Sequence, residues 1–147
     1  NAAAGVTTGI DFELRYDFEV DFLASQNENF RLRMFANHML ENSVTTTTYR
    51  DDVGSLTSPE WNATATLGYD IGNWGINWVT RYYDSTNYTL GFGVHWRSGF
   101  EVDDATIASQ TVNNMSVSYR GETNSGANWV ASFNVNNIFD RASNSTP

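Results

Sequence analysis

The alternation from Ile10 to Phe22 limits what this chain can fold into more than any other stretch. Ile10, Phe12, Leu14, Tyr16, Phe18, Val20 and Phe22 are apolar, and Asp11, Glu13, Arg15, Asp17, Glu19 and Asp21 between them are charged. A helix would mix the two sets around its circumference, whereas a strand sends all the apolar side chains to one side and all the charges to the other. At about 3.3 Å per residue such a strand runs roughly 40 Å, well beyond the usual strand of about five or six residues. A strand that crosses a bilayer needs about 9–11 residues. A membrane barrel wall, with lipid on one face and water on the other, accounts for both the length and the ionic face.

Composition narrows the classes. A chain of 147 residues is long enough for one domain with a core. It has no apolar run long enough for a transmembrane helix, and its mean hydropathy of −0.43 is compatible with alternating barrel strands. Cysteine is absent, which removes disulfides, thiolate zinc sites and a cysteine nucleophile. The net charge is −9 and the 8 cations are all arginine. Such an acidic chain repels phosphate backbones, so nucleic acid is not an expected partner.

Catalytic patterns are missing. There is no Gly-x-Ser-x-Gly elbow, and Gly91-x-Gly93 lacks the rest of a phosphate loop. His38 and His95 stand far apart and form no zinc pattern. The acids of the first strand form a row along one face, whereas a catalytic pair is converged on by several elements. Asp51–Asp52 and Asp103–Asp104 offer calcium-type oxygens without EF-hand spacing, and a solvated acidic loop is the simpler reading. No enzyme activity, catalytic residue, cofactor or metal is expected.

Taken in order, the chain alternates strands with short and long connections. A short break at 23–29 leads to Phe30–Leu40, where Phe35 and Met39 interrupt the alternation. Ser25 could cap a helix there. A strand is preferred, because Arg31 and Arg33 could pair with the acids of the first strand at about 0.2–1 kcal/mol each. Asn42–Pro59 reads as a long loop. Trp61–Tyr69 and Trp74–Tyr83 read as a hairpin around Asp70–Asn73. Asp84–Gln110 is a second long connection, with a possible strand at 88–96. Thr111–Arg120 and Trp129–Phe139 form the last pair, joined by a turn-rich segment. The rhythm short, long, short, long, short matches the turns and loops of an outer-membrane barrel. Tyr69, Trp74, Tyr119 and Trp129 at one end, with Trp61, Tyr82 and Tyr83 at the other, match two interfacial girdles.

Trp61–Tyr69, Trp78–Asp84 and above all Asn134-Val-Asn-Asn-Ile-Phe-Asp-Arg141 resemble the C-terminal barrel region of TonB-dependent outer-membrane receptors. The resemblance implies import of a scarce ligand such as a siderophore, cobalamin, oligosaccharide or peptide. It also implies outer-membrane lipid around the barrel, an energy-coupling periplasmic protein and residence in a Gram-negative outer membrane. The plug, the coupling box and the final strand of that family have no counterpart here, so the fragment alone would not be transport-competent.

The expected fold is therefore all-β: an antiparallel meander of about six to eight long strands, a partial transmembrane-type barrel. In isolation it would roll up or pair with another copy. Residues 1–8 read as a tag remnant and leader, 9–141 as the wall fragment and 142–147 as a tail. Asp11, Glu13, Arg15, Asp17, Glu19 and Asp21 would face the lumen. Tyr49, Arg50, His95, Trp96 and Arg97 in the long connections are the ligand-contact candidates. The rival readings are a soluble β-sandwich, with carbohydrate as its candidate ligand, and a small closed ligand-binding barrel.

Overall fold

The computed structural model describes residues 4–21, 27–87 and 106–142. These form β1 (Ala4–Val20), β2 (Glu28–Thr45), β3 (Tyr49–Asp51), β4 (Trp61–Ile71), β5 (Trp74–Tyr83), β6 (Thr86–Asn87), β7 (Thr106–Ile107), β8 (Gln110–Glu122) and β9 (Asn128–Val135). A 7-stranded antiparallel sheet runs β1-β2-β4-β5-β8-β9, with β3 attached to β2, and β6 pairs with β7. The order is a meander, and among the described residues β1 and β9 each pair on one side only, so the sheet they form is not closed.

One register runs through all the long strands. Phe18 stands opposite Phe30, Phe30 opposite Tyr69, Tyr69 opposite Ile76, Ile76 opposite Val117 and Val117 opposite Phe133. The row above it reads Tyr16, Leu32, Leu67, Trp78, Met115, Val135. Side chains alternate faces along each strand, so these rows make one apolar face. The interleaved rows, such as Asp17, Arg31, Gly68, Asn77, Ser116, Asn134, make the polar face.

No apolar side chain is buried among the described residues, and Phe12, Tyr16 and Phe133 are 50%, 58% and 67% exposed. The single core expected from chain length is therefore absent from these residues. A core requires a second layer against the apolar face, and among the described residues none packs there.

The strand readings hold with shifted ends. β1 starts at Ala4, inside the stretch read as a leader, because Ala4–Thr8 continue the ladder opposite Glu41–Thr45. Phe22 lies outside the described residues. Residues 30–40 are strand and not helix, lying within β2. Asn42–Pro59 is less of a loop than its composition implies: β2 runs on to Thr45, and β3 folds back on it. β9 stops at Val135 rather than Phe139, where Asn137 takes a left-handed conformation (φ 52) that ends the ladder. The strand expected at 88–96 lies outside the described residues.

Gly121 shows how closely the side chains of this face are fitted. It stands opposite Trp129, whose ring lies over it: an added Cβ would sit 2.3 Å from the ring. At Gly5 the nearest atom would be 3.7 Å away. Gly121→Ala is therefore expected to lower unfolding stability by about 1–3 kcal/mol, read by thermal melting of the folded protein, with Gly5→Ala nearly neutral.

Candidate functional site

The functional surfaces are the two faces of the sheet and the two long connections at one end of it. The two-residue turn Gly72–Asn73 and the β8–β9 turn at 123–127 mark the short-turn end; residues 46–60, 84–87 and 106–109 mark the other.

The densest electrostatic cluster lies on the polar face near the short turns. Arg31 on β2 donates to the Asp70 carboxylate on β4, and Arg120 on β8 lies 3.7 Å from its other oxygen. Between them Gly75 on β5 leaves the space: a Cβ there would stand 3.0 Å from the Asp70 carboxylate and 2.9 Å from the Ser118 hydroxyl. Arg31 lies over Gly68. One carboxylate thus ties side chains from three strands across a fourth. It is 23% exposed against 46% and 60% for the two arginines. Asp70 reads in sequence as a turn residue. Its place on the same parity as Asp17 and Arg31 appears only once the register is known.

Arg31 was expected to pair with the acids of β1. Asp17 does stand opposite it, but Arg31 turns to Asp70 instead. Arg33 stands opposite Arg15, and Arg15 pairs with Asp17 of its own strand at 3.5 Å. No ion pair joins β1 to β2 among the described residues. Register decides this, because one pairing sets every opposition at once.

Asp11, Glu13, Arg15, Asp17 and Glu19 share the polar face and are exposed, with Asp21 just beyond the end of β1. Asp11 accepts from Asn37 at 2.7 Å. Phe35 also projects from this face, between Glu13 and Thr64, which explains its break in the alternation. Shallow depressions line the face: one of about 160 Å³ among Arg31, Arg33, Thr66, Gly68 and Asn77, and another of about 290 Å³ whose rim includes Asn77, Asn114, Ser116, Asn134 and Asn136. The second is uncharged, and its amides carry both donors and acceptors. Asn134 and Asn136 belong to the run that carries the family resemblance, but nothing in the sequence places them beside Asn77 and Asn114, which only the register brings together.

Of the ligand-contact candidates, Tyr49 and Arg50 stand on β3, where Tyr49 is 63% exposed. Arg50 makes a paired contact to Asp52, at 2.8 and 3.0 Å. Asp51 accepts the amides of Asn42 and Val53. These acids hold the loop's own shape. His95, Trp96, Arg97, Asp103 and Asp104 lie outside the described residues. The two long connections are joined: the Asn87 amide donates to the Gly54 carbonyl at 2.7 Å, and Asp84 and Met39 donate to the backbone of Trp61 and Glu60 at 3.0 and 2.8 Å. No group of three or more His, Asp or Glu close enough to hold a metal occurs among the described residues.

The apolar face carries aromatic rings at both ends. Near the short turns Trp74 contacts Tyr119 (4.8 Å between centroids), and Tyr119 contacts Trp129 (5.5 Å). At the other end Trp61 stacks on His38 at 4.0 Å and near Phe12 at 6.1 Å, and His38 meets Glu60 at 3.3 Å. Tyr69 donates to buried Glu28 at 2.7 Å. Tyr83 departs from the expected girdle: adjacent to Tyr82, it must take the opposite face, and it stands between Asn62 and Gln110. From Glu28↔Ile71 to His38↔Trp61 the paired strands span roughly 33 Å at 3.3 Å per residue, or a height of roughly 25 Å at the tilt of a membrane barrel.

The family model described as TonB dependent receptor-like, beta-barrel matches residues 1–138. No curated protein and no solved structure gives a significant match.

Asp70→Ala removes the carboxylate that two arginines share. Its expected cost is about 1–2 kcal/mol in denaturant unfolding, and Asp17→Ala, at an exposed pair within one strand, is expected to cost less than about 0.5 kcal/mol. Equal effects of the two substitutions would contradict the bridging role.

Proposed function

The chain belongs to the TonB-dependent receptor-like β-barrel family, and on that premise we propose that it is a section of the wall of an outer-membrane receptor. In this reading the whole receptor imports a scarce nutrient, driven by an energy-coupling periplasmic partner, and performs no catalysis. The observation that carries the reading is the apolar face. It runs across all the long strands, broken at Thr80 and Asn113, it is exposed, and rings stand at both of its ends, roughly 33 Å apart along the strands, a length that the tilt of a barrel wall brings to the roughly 25 Å of apolar band presented to lipid.

The surfaces then take their roles from position. The short turns face the periplasm and the long connections the exterior, as in bacterial barrels. The polar face, with the row Asp11 to Asp21, lines the lumen. Ligand contacts fall to the long connections, with Tyr49 and Arg50 on β3 and His95, Trp96 and Arg97 in the second connection. Nutrient identity within the siderophore, cobalamin, oligosaccharide and peptide classes rests on those contacts.

An open sheet with two unpaired edges and an exposed apolar face is unstable in water. This chain alone is therefore not transport-competent, and in detergent-free buffer it associates with further copies. Sedimentation tests this: multimers without detergent and a dispersed species with it are expected. A stable monomer in detergent-free buffer would sink the barrel-wall reading.

A further inference from the structure

Where β9 stops, the chain remains attached to β8. The Asn137 amide donates to the Asn114 side chain at 2.8 Å, and the Ile138 amide to the Asn113 carbonyl at 2.9 Å. Asn137 closes the turn with its own side chain, donating to the Arg141 carbonyl and accepting from the Arg141 amide, both at 3.0 Å. Gln110 donates to the Ala142 carbonyl at 3.3 Å. The turn straddles the edge of β8. Asn114 belongs to the polar face, whereas Phe139 meets Trp78, on the apolar face, with 6.2 Å between ring centroids.

This is the least apolar part of the apolar face. The row Leu14, Met34, Ala65, Thr80, Asn113 becomes polar at its last two members. Their polar atoms are satisfied internally: the Trp78 indole donates to Thr80 and Asn113 at 3.0 and 3.2 Å, and Thr80 donates to Asn113 at 2.7 Å. A bonded trio of this kind needs no polar occupant, yet by itself it offers little apolar surface to an acyl chain. Phe139, 62% exposed, brings apolar surface to this place, adjoining the row that contains Leu67, Trp78 and Met115.

We infer that the turn at 136–142 is a membrane-contacting element, with Phe139 lying against the acyl chains of the leaflet at the long-connection end. It restores the apolar band where Thr80 and Asn113 interrupt it. The inference rests on the barrel-wall reading, and its occupant is lipid because Phe139 adjoins, through Trp78, the face that reading gives to lipid.

The test places a nitroxide at one position at a time in the full-length receptor, cysteine-free and reconstituted in phosphatidylcholine bilayers. Phe139→Cys is compared with Phe133→Cys on the apolar face and Asn134→Cys on the polar face. Collision with oxygen, which concentrates in lipid, is compared with collision with a water-soluble nickel chelate. Oxygen-dominated collision at 139 and 133, with chelate-dominated collision at 134, is expected. Oxygen at 133 but chelate at 139 overturns the inference and leaves the wall reading standing. Chelate at both 133 and 139 overturns both.

Discussion

Backbone hydrogen bonding between neighbouring strands carries every other feature of this sheet, because pairing also decides which side chains share a face. With Phe18 opposite Phe30 and Phe30 opposite Tyr69, all later rows follow at intervals of two. A slip of one residue between two strands would carry every polar side chain on one side of the slip into line with the apolar rows on the other. The antiparallel meander favours this consistency, since each hairpin sets the register of its own pair. It leaves two consequences unresolved among the described residues: outer edges of β1 and β9 that no described strand pairs, and an apolar face on which no described segment packs.

The polar face shows what holds the sheet together where the described residues supply no apolar core. Asp70 gathers Arg31 from the neighbouring β2 and Arg120 over the space left by Gly75, so charge also links β4 to β8, which the ladder joins only through β5. On the apolar face Trp129 over Gly121 and Tyr69 on Glu28 act between neighbouring strands. At the long-connection end the loops are stitched to one another and to the strand ends by backbone bonds, and Arg50 and Asp52 brace β3. The stabilising contacts are lateral, in the plane of the sheet. That arrangement suits the proposed barrel wall, whose apolar face would meet solvent of its own kind.

Much of this was legible in the residues. The unbroken alternation of Ile10 to Val20 shows a two-sided strand, and the rhythm of turns and loops shows a meander. The Asn-Asn-Ile-Phe-Asp-Arg ending carries the family resemblance, although its structural meaning differs from its reading as strand: Asn137 and Asp140 have positive φ, and the segment is a turn. What escaped was everything that depends on opposition. Arg33 facing Arg15 instead of an acid, Asp70 shared by two arginines and Tyr83 turned to the polar face each need a partner strand's register, which no single segment contains.

The sequence by itself therefore determined the period, the sidedness and the order of the strands, because side-chain direction along a strand alternates whatever the strand pairs with. Only the tertiary structure decided which residues meet. It left the charged row of β1 without ion-pair partners on β2 among the described residues, gathered Arg31, Asp70 and Arg120 from three other strands into one cluster, ended β9 early and folded Phe139 back over Trp78. The physical reason is that alternation is a property of one chain segment, whereas register and closure are properties of pairs. The stretch from Ile10 onward has an apolar face by its own composition, but the role proposed for that face, a surface for lipid, rests on the strands aligned beside it.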